Sequence, residues 1–159
     1  MKEIKQIISI KVCTLEELSS EDRTLIETAR FATYRSYAPY SNFHVGAAVR
    51  LANGEIISGT NQENAAYPSG LCAERTALFY ANSQYPDQAV CSIAIAARTQ
   101  DGFLNKPIPP CGSCRQVLLE TENRFKSPIR ILLDSTKDIY MIEGASSLLP
   151  LSFNEGFFK

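Results

Sequence analysis

Two short segments of this 159-residue chain constrain its fold more than any other: CAERTA, from Cys72 to Ala77, and PPCGSCRQ, from Pro109 to Gln116. Each places cysteine directly ahead of an apolar run with helical spacing. Cys111 and Cys114 are three apart, so on a helix they share a face. At a helix N-terminus both thiols also feel the positive end of the dipole, which favours thiolate. The pair alone suits a redox couple or half of a zinc site; burial as two apolar cysteines accounts poorly for both at this spacing. A catalytic zinc takes three protein ligands and leaves one position to water, and Cys72 offers the third thiolate. Convergence of the three requires two helix N-termini to meet, as those of neighbouring βα units do at the ends of their strands.

Glu74 adds a geometric condition. Helical positions i and i+2 are about 200° apart and do not face each other. Cys72 and Glu74 can address one site only if Cys72 caps the helix and Glu74 lies in its first turn; Gly70 and Leu71 allow a helix to start there. Acids in a first turn are common for dipole reasons alone. The company of three cysteines favours a functional role.

The remaining sequence supplies a sheet for those helices. Residues 19–37 read as a helix capped by Ser19 or Ser20, with Leu25, Ile26, Ala29 and Ala32 or Thr33 on one face. Residues 44–62 form the clearest hairpin, with Asn53-Gly54 as a two-residue turn signal. Helices are expected over 72–84 and 111–125, and strands over 90–98, 129–134 and 138–144. Residues 99–110 read as a loop. Alternation from Ile8 to Val12 suggests an extra strand at the front. Only three residues separate Asp134 from Asp138, too few for a parallel crossover, so the last two strands must be antiparallel. The expected organisation is an N-terminal extension, residues 1–17, followed by one domain, residues 18–159.

Charge and cysteine usage exclude several classes. The formal net charge is −1 and no Lys/Arg run is present, which argues against a nucleic-acid backbone partner. No stretch reaches the roughly 18 apolar residues of a membrane span, and MKEIKQIISIKVC is not read as a signal peptide. Five cysteines are not spaced as a secreted disulfide scaffold. A reducing compartment, the cytoplasm, is expected. Cys13 and Cys91 are assigned to packing, and His44, the single histidine, to a surface or rim position.

CAERTA with PCGSCRQ, preceded by YSNFHVGAAV and NQENAAYPSG and followed by LLPLSF, resembles the cytidine deaminase family in its small-subunit form with three cysteine zinc ligands. The likeness spans roughly residues 18–153. It implies a three-layer α/β/α fold around a five-stranded mixed sheet. It implies zinc on Cys72, Cys111 and Cys114, and hydrolysis of cytidine and deoxycytidine to uridine and deoxyuridine with release of ammonia, in pyrimidine salvage. Glu74 is the implied proton carrier. Three thiolates would leave the zinc site with a net negative charge and weaken its Lewis acidity; Arg75 is the implied cation that offsets this, with Arg115 a weaker candidate. Asn61 and Glu63 carry over as ribose ligands, Phe43 as an aromatic neighbour of the pyrimidine, and the backbone around Ala73 and Pro109–Pro110 as holder of the base edge. Phe153 carries over as a residue that reaches a neighbouring subunit's pocket in a homotetramer, with Tyr67 near the same contact. The family often has proline where His44 stands.

Other readings remain compatible with parts of this pattern. A different aminated ring is a close alternative substrate, while Asn61, Glu63 and Phe43 favour a nucleoside. Nucleic-acid editing uses the same zinc chemistry but is disfavoured by the charge balance. A structural zinc module would use a fourth protein ligand, and none is evident.

Overall fold

The computed structural model describes residues 1–158. The elements in chain order are β1 (Lys11–Cys13), α1 (Ser20–Ala32), β2 (His44–Leu51), β3 (Ile56–Thr60), α2 (Ala73–Gln84), β4 (Val90–Thr99), β5 (Gly102–Phe103), α3 (Gly112–Phe125), β6 (Arg130–Leu133) and β7 (Ile139–Glu143). They build one mixed sheet in the order β1-β7-β6-β4-β2-β3, with β5 paired to β4. β4 and β6 are parallel, whereas β6 and β7 are antiparallel as the short 134–138 connection requires.

The sheet is larger than the five strands expected, for two physical reasons. The front segment does reach the sheet, but only Lys11–Cys13 pairs with β7; the alternation at Ile8 lies outside the ladder. The segment read as a loop at 99–110 folds back on β4 through two pairs, Arg98 with Phe103 and Thr99 with Gly102. A two-residue strand is too short to produce a visible alternation.

Strand alternation sorts the core into two layers. Ala48, Ala94, Ala96 and Leu132 face α1, where Leu25, Ile26 and Ala29 are fully buried. Ala47, Val49, Ile93, Ile95 and Ile131 face the opposite side, against Ala77 and Leu78 of α2 and Leu118 of α3. The result is three layers, α/β/α. Helix α1 is capped by Ser19, whose hydroxyl accepts from the Asp22 amide at 3.1 Å. It is tied to the end of β6 by a bidentate Arg30–Asp134 pair at 2.7 and 2.8 Å.

The hairpin turn differs from a simple two-residue Asn-Gly loop. Leu51 accepts from the Gly54 amide, and its own amide donates to Glu55. The loop is therefore three residues, Ala52 to Gly54, and Gly54 takes the left-handed position at φ 88°. A second glycine matters for packing. A Cβ on Gly59 of β3 would lie 2.5 Å from the Ala77 nitrogen and 2.6 Å from the Ala73 oxygen. Its absence lets α2 lie directly on the strand.

This topology explains why two helix starts meet. β3 and β4 are both antiparallel to β2, so they run parallel to each other. Helix α2 follows β3, α3 follows β4 after the short return of β5, and both cover the same face of the sheet. Both helices therefore begin near the same edge, at the C-terminal ends of their strands.

Candidate active site

Beyond β3 the chain is held in a narrow ladder. The Tyr37 amide donates to Asn61 and the Glu63 amide to Tyr37, at 3.1 and 2.9 Å. Gln62 and Leu71 exchange both backbone bonds, at 2.9 and 3.0 Å. This ladder delivers Cys72 to the N-cap of α2, and Cys111 occupies the same position on α3. Neither thiol makes a capping bond, so both remain available to a ligand. Glu74 falls in the first turn of α2, as the i, i+2 argument demands.

The three thiols come together. Sγ of Cys111 lies 3.6 Å from Cys72 and 3.4 Å from Cys114, and all three sulfurs are within 4.8 Å of one another. These separations are far from the roughly 2.05 Å of a disulfide, and all three cysteines are free. Thiolates bound tetrahedrally at about 2.3 Å stand about 3.8 Å apart. The donor set therefore fits zinc, with Cys111 exposed, Cys72 half-buried and Cys114 fully buried.

Cys72 and Cys114 differ in how readily they give up a proton. A hydrogen bond from Cys114, together with the Arg75 guanidinium, holds the Cys72 thiol down at about 5. Cys114 moves the opposite way, through that same bond and its burial. Arg75 Nη2 donates to the Cys72 sulfur at 3.6 Å. Glu74 is only 5% exposed. Burial, reinforced by the neighbouring Cys72 thiolate, pushes its carboxyl above the usual carboxylate range. A carboxyl raised in this way is a stronger base than an exposed one, suited to accept a proton and hand it on.

Beside the thiols lies a cleft of about 500 Å³, lined among others by Tyr40, Ser41, Asn61, Glu63, Tyr67 and Cys72. Asn61 and Glu63 thus line the same cavity as Cys72 and Arg75. Both already have protein partners. Asn61 Oδ1 accepts from the Val45 amide at 2.8 Å, and its Nδ2 donates to the Phe43 carbonyl at 2.9 Å. Glu63 accepts from the Tyr40 and Ser41 amides and from the Ser41 hydroxyl.

Other sequence-assigned residues are placed as follows. Ala73 is buried as the first residue of α2. Phe43 is half-buried and is not among the residues lining the cleft. Phe153 is 59% exposed, stacks on Phe157 at 5.8 Å between ring centres, and does not line the cleft of its own chain. Cys13 and Cys91 are half-buried and lie outside the thiol cluster. Arg115 does not address the sulfurs: it donates to the carbonyls of Pro110 and Leu148, at 2.9 and 3.0 Å. It therefore fastens the chain ahead of Cys111 to the C-terminal segment. Gly112 is not required by space, since a Cβ there would meet nothing within 4 Å. Sequence reasoning passed over Ser41; the available signal was its place in a Tyr-Ser-Asn turn, where Asn42 adopts φ 52°.

Comparison with known proteins points in one direction. The model of the cytidine and deoxycytidylate deaminase zinc-binding region matches residues 19–126. The cytidine deaminase of Sporosarcina psychrophila is 37% identical over 131 residues, covering 82% of this chain and 90% of that protein. That of Halalkalibacterium halodurans is 48% identical over 96 residues, 60% of this chain and 68% of the relative. Among solved structures, the cytidine deaminase of Burkholderia pseudomallei superposes with a TM-score of 0.70 at 40% identity, over 82% of this chain and 97% of that one. The Mycobacterium tuberculosis enzyme gives 0.65 at 28% identity, over 86% and 99%.

Proposed function

Because the chain belongs to the cytidine and deoxycytidylate deaminase zinc-binding family, we propose that it hydrolyses cytidine and deoxycytidine to uridine and deoxyuridine, releasing ammonia. The observation that carries this reading is the cluster of Cys72, Cys111 and Cys114 beside a buried Glu74. Cys72, Cys111 and Cys114 would hold the zinc, and Arg75 would offset the negative charge of its thiolates. Zinc, when bound, supplies a Lewis acid that lowers the pKa of water into the neutral range.

The chain's own residues supply the rest. Glu74 takes a proton from the attacking water and delivers it to N3 of the cytosine ring. The water oxygen bonds to C4. Glu74 then carries the proton of that new C4 hydroxyl to the amino group; the C4–N4 bond breaks, the C4=O bond of uracil forms and ammonia leaves. One carboxylate serves twice because both nitrogens flank the same carbon. Its burial excludes bulk water that would compete for those protons. Asn61 and Glu63 contact the ribose, Phe43 packs beside the pyrimidine, and the Ala73 backbone holds the base edge. Glu63, a carboxylate in the cleft, disfavours a phosphorylated sugar by charge repulsion. That substrate class assigns the chain to pyrimidine salvage, and its free cysteines assign it to a reducing compartment, the cytoplasm. No helix among the described residues is long and apolar enough to cross a membrane.

A substrate panel tests the reading. Cytidine, deoxycytidine, cytosine, deoxycytidine monophosphate and adenosine are each incubated with zinc-loaded protein, and ammonia is measured. The two nucleosides of cytosine are expected to react fastest. A preference for the nucleotide or for adenosine would contradict the substrate assignment.

A further inference from the structure

Glu63 is held from one side by a single turn. Its Oε2 accepts from the Tyr40 amide at 2.8 Å and the Ser41 amide at 3.2 Å, and its Oε1 accepts from the Ser41 hydroxyl. The same Ser41 oxygen accepts from the Phe43 amide at 3.1 Å. That geometry depends on Asn42, whose left-handed φ of 52° turns the chain back on itself. Asn61 pins the other side of the segment through Phe43 and Val45. A carboxylate presents about four acceptor positions. Three are filled by the 40–41 turn, which leaves about one for a ligand hydroxyl.

Ser41 thus bonds both to the carboxylate of Glu63 and to the backbone of Phe43. These are the residues assigned above to the sugar and the base. We propose that Ser41 is a positioning residue for substrate: its hydroxyl fixes the Glu63 carboxylate relative to Phe43 and so sets the fit of the sugar hydroxyls. This rests on the reading of Glu63 as the ribose contact. The hydroxyl donates its one proton to Glu63 and accepts from Phe43, so alanine loses both bonds while threonine can keep them.

The test uses full-length, zinc-loaded protein carrying Ser41→Ala, Ser41→Thr, Glu63→Gln or Ser41→Ala with Glu63→Gln. For Ser41→Ala the KM for cytidine is expected to rise roughly tenfold, the size of one lost hydrogen bond to a charged group, with kcat changed less than about twofold. The KM for 2′,3′-dideoxycytidine, which has no sugar hydroxyl at either position, should not move. Ser41→Thr should retain most of the cytidine affinity, and Ser41→Ala should cost less on top of Glu63→Gln than it does alone. An unchanged cytidine KM overturns the proposal. So does an equal rise with dideoxycytidine, or a fall in kcat that matches the rise in KM, since either marks general disorder of the loop. Absence of cytidine turnover in the unsubstituted protein would instead remove the functional reading, and this inference with it.

Discussion

Replacing Glu74 by Gln removes the ionisable oxygen and keeps size and polarity. Zinc content and fold are expected to survive, because the three thiols do not include this side chain. Turnover should fall by at least about 10²–10⁴-fold, the usual contribution of one general acid–base group; near-normal turnover in zinc-loaded Glu74→Gln protein would refute the assignment. Glu63 makes a separate prediction about stability. The Ser41 hydroxyl, with the Tyr40 amide, holds its carboxyl below the ordinary value of 4.5. A carboxyl lowered on folding stabilises the native state above its unfolded value, and that contribution disappears as pH falls through the folded one. Between about pH 6 and about pH 3, the Tm of the unsubstituted protein should therefore drop more than that of Glu63→Gln. Equal acid slopes would show that the 40–41 turn does not favour the ionised form.

At the scale of elements, α2 is placed by β3 through Gly59. Gly59→Ala drives a methyl group into the backbone of Ala73 and Ala77. A shift of α2 should cost on the order of 1–3 kcal/mol and lower zinc affinity with it, since Cys72 caps that helix. Gly112→Ala, at a helix start with open space around it, is the control and should be near neutral by thermal unfolding. Loss of stability without loss of zinc affinity in Gly59→Ala would uncouple strand packing from the metal site. The helix starts at Cys72 and Cys111 were legible in the sequence because caps and helical periodicity are local signals. The antiparallel β6–β7 pair was legible because chain length alone forbids the alternative. What escaped was set by partners distant in sequence or by very short elements. β5 is two residues long. The Arg30–Asp134 pair spans 104 positions, and nothing near Arg115 in the sequence indicates that its partner is the carbonyl of Leu148. Asn61 and Glu63 read as free ligands because their backbone donors become neighbours only after the hairpin folds.

The whole molecule carries an aromatic C-terminal cluster, Phe153, Phe157 and Phe158, each more than half exposed. Exposed apolar groups of this kind mark contact surfaces, and we propose that Phe153 closes the nucleoside cleft of a neighbouring subunit in a homotetramer. Truncation before Ser152 is expected to raise the KM for cytidine and to loosen the assembly in analytical ultracentrifugation, while zinc per chain stays constant. A fully active monomer would exclude the shared site. The central claim, that three thiols hold a zinc ion required for hydrolysis of a cytosine nucleoside, is tested most directly by one titration. Protein stripped with a chelator is resupplied with zinc in steps, and bound metal, uridine and ammonia are followed in the same samples. Uridine and ammonia should appear in equal amounts, at a rate that rises in proportion to bound zinc and levels off at one ion per chain. Full activity in the metal-free protein, or a zinc-saturated protein that leaves cytidine intact, would contradict the account.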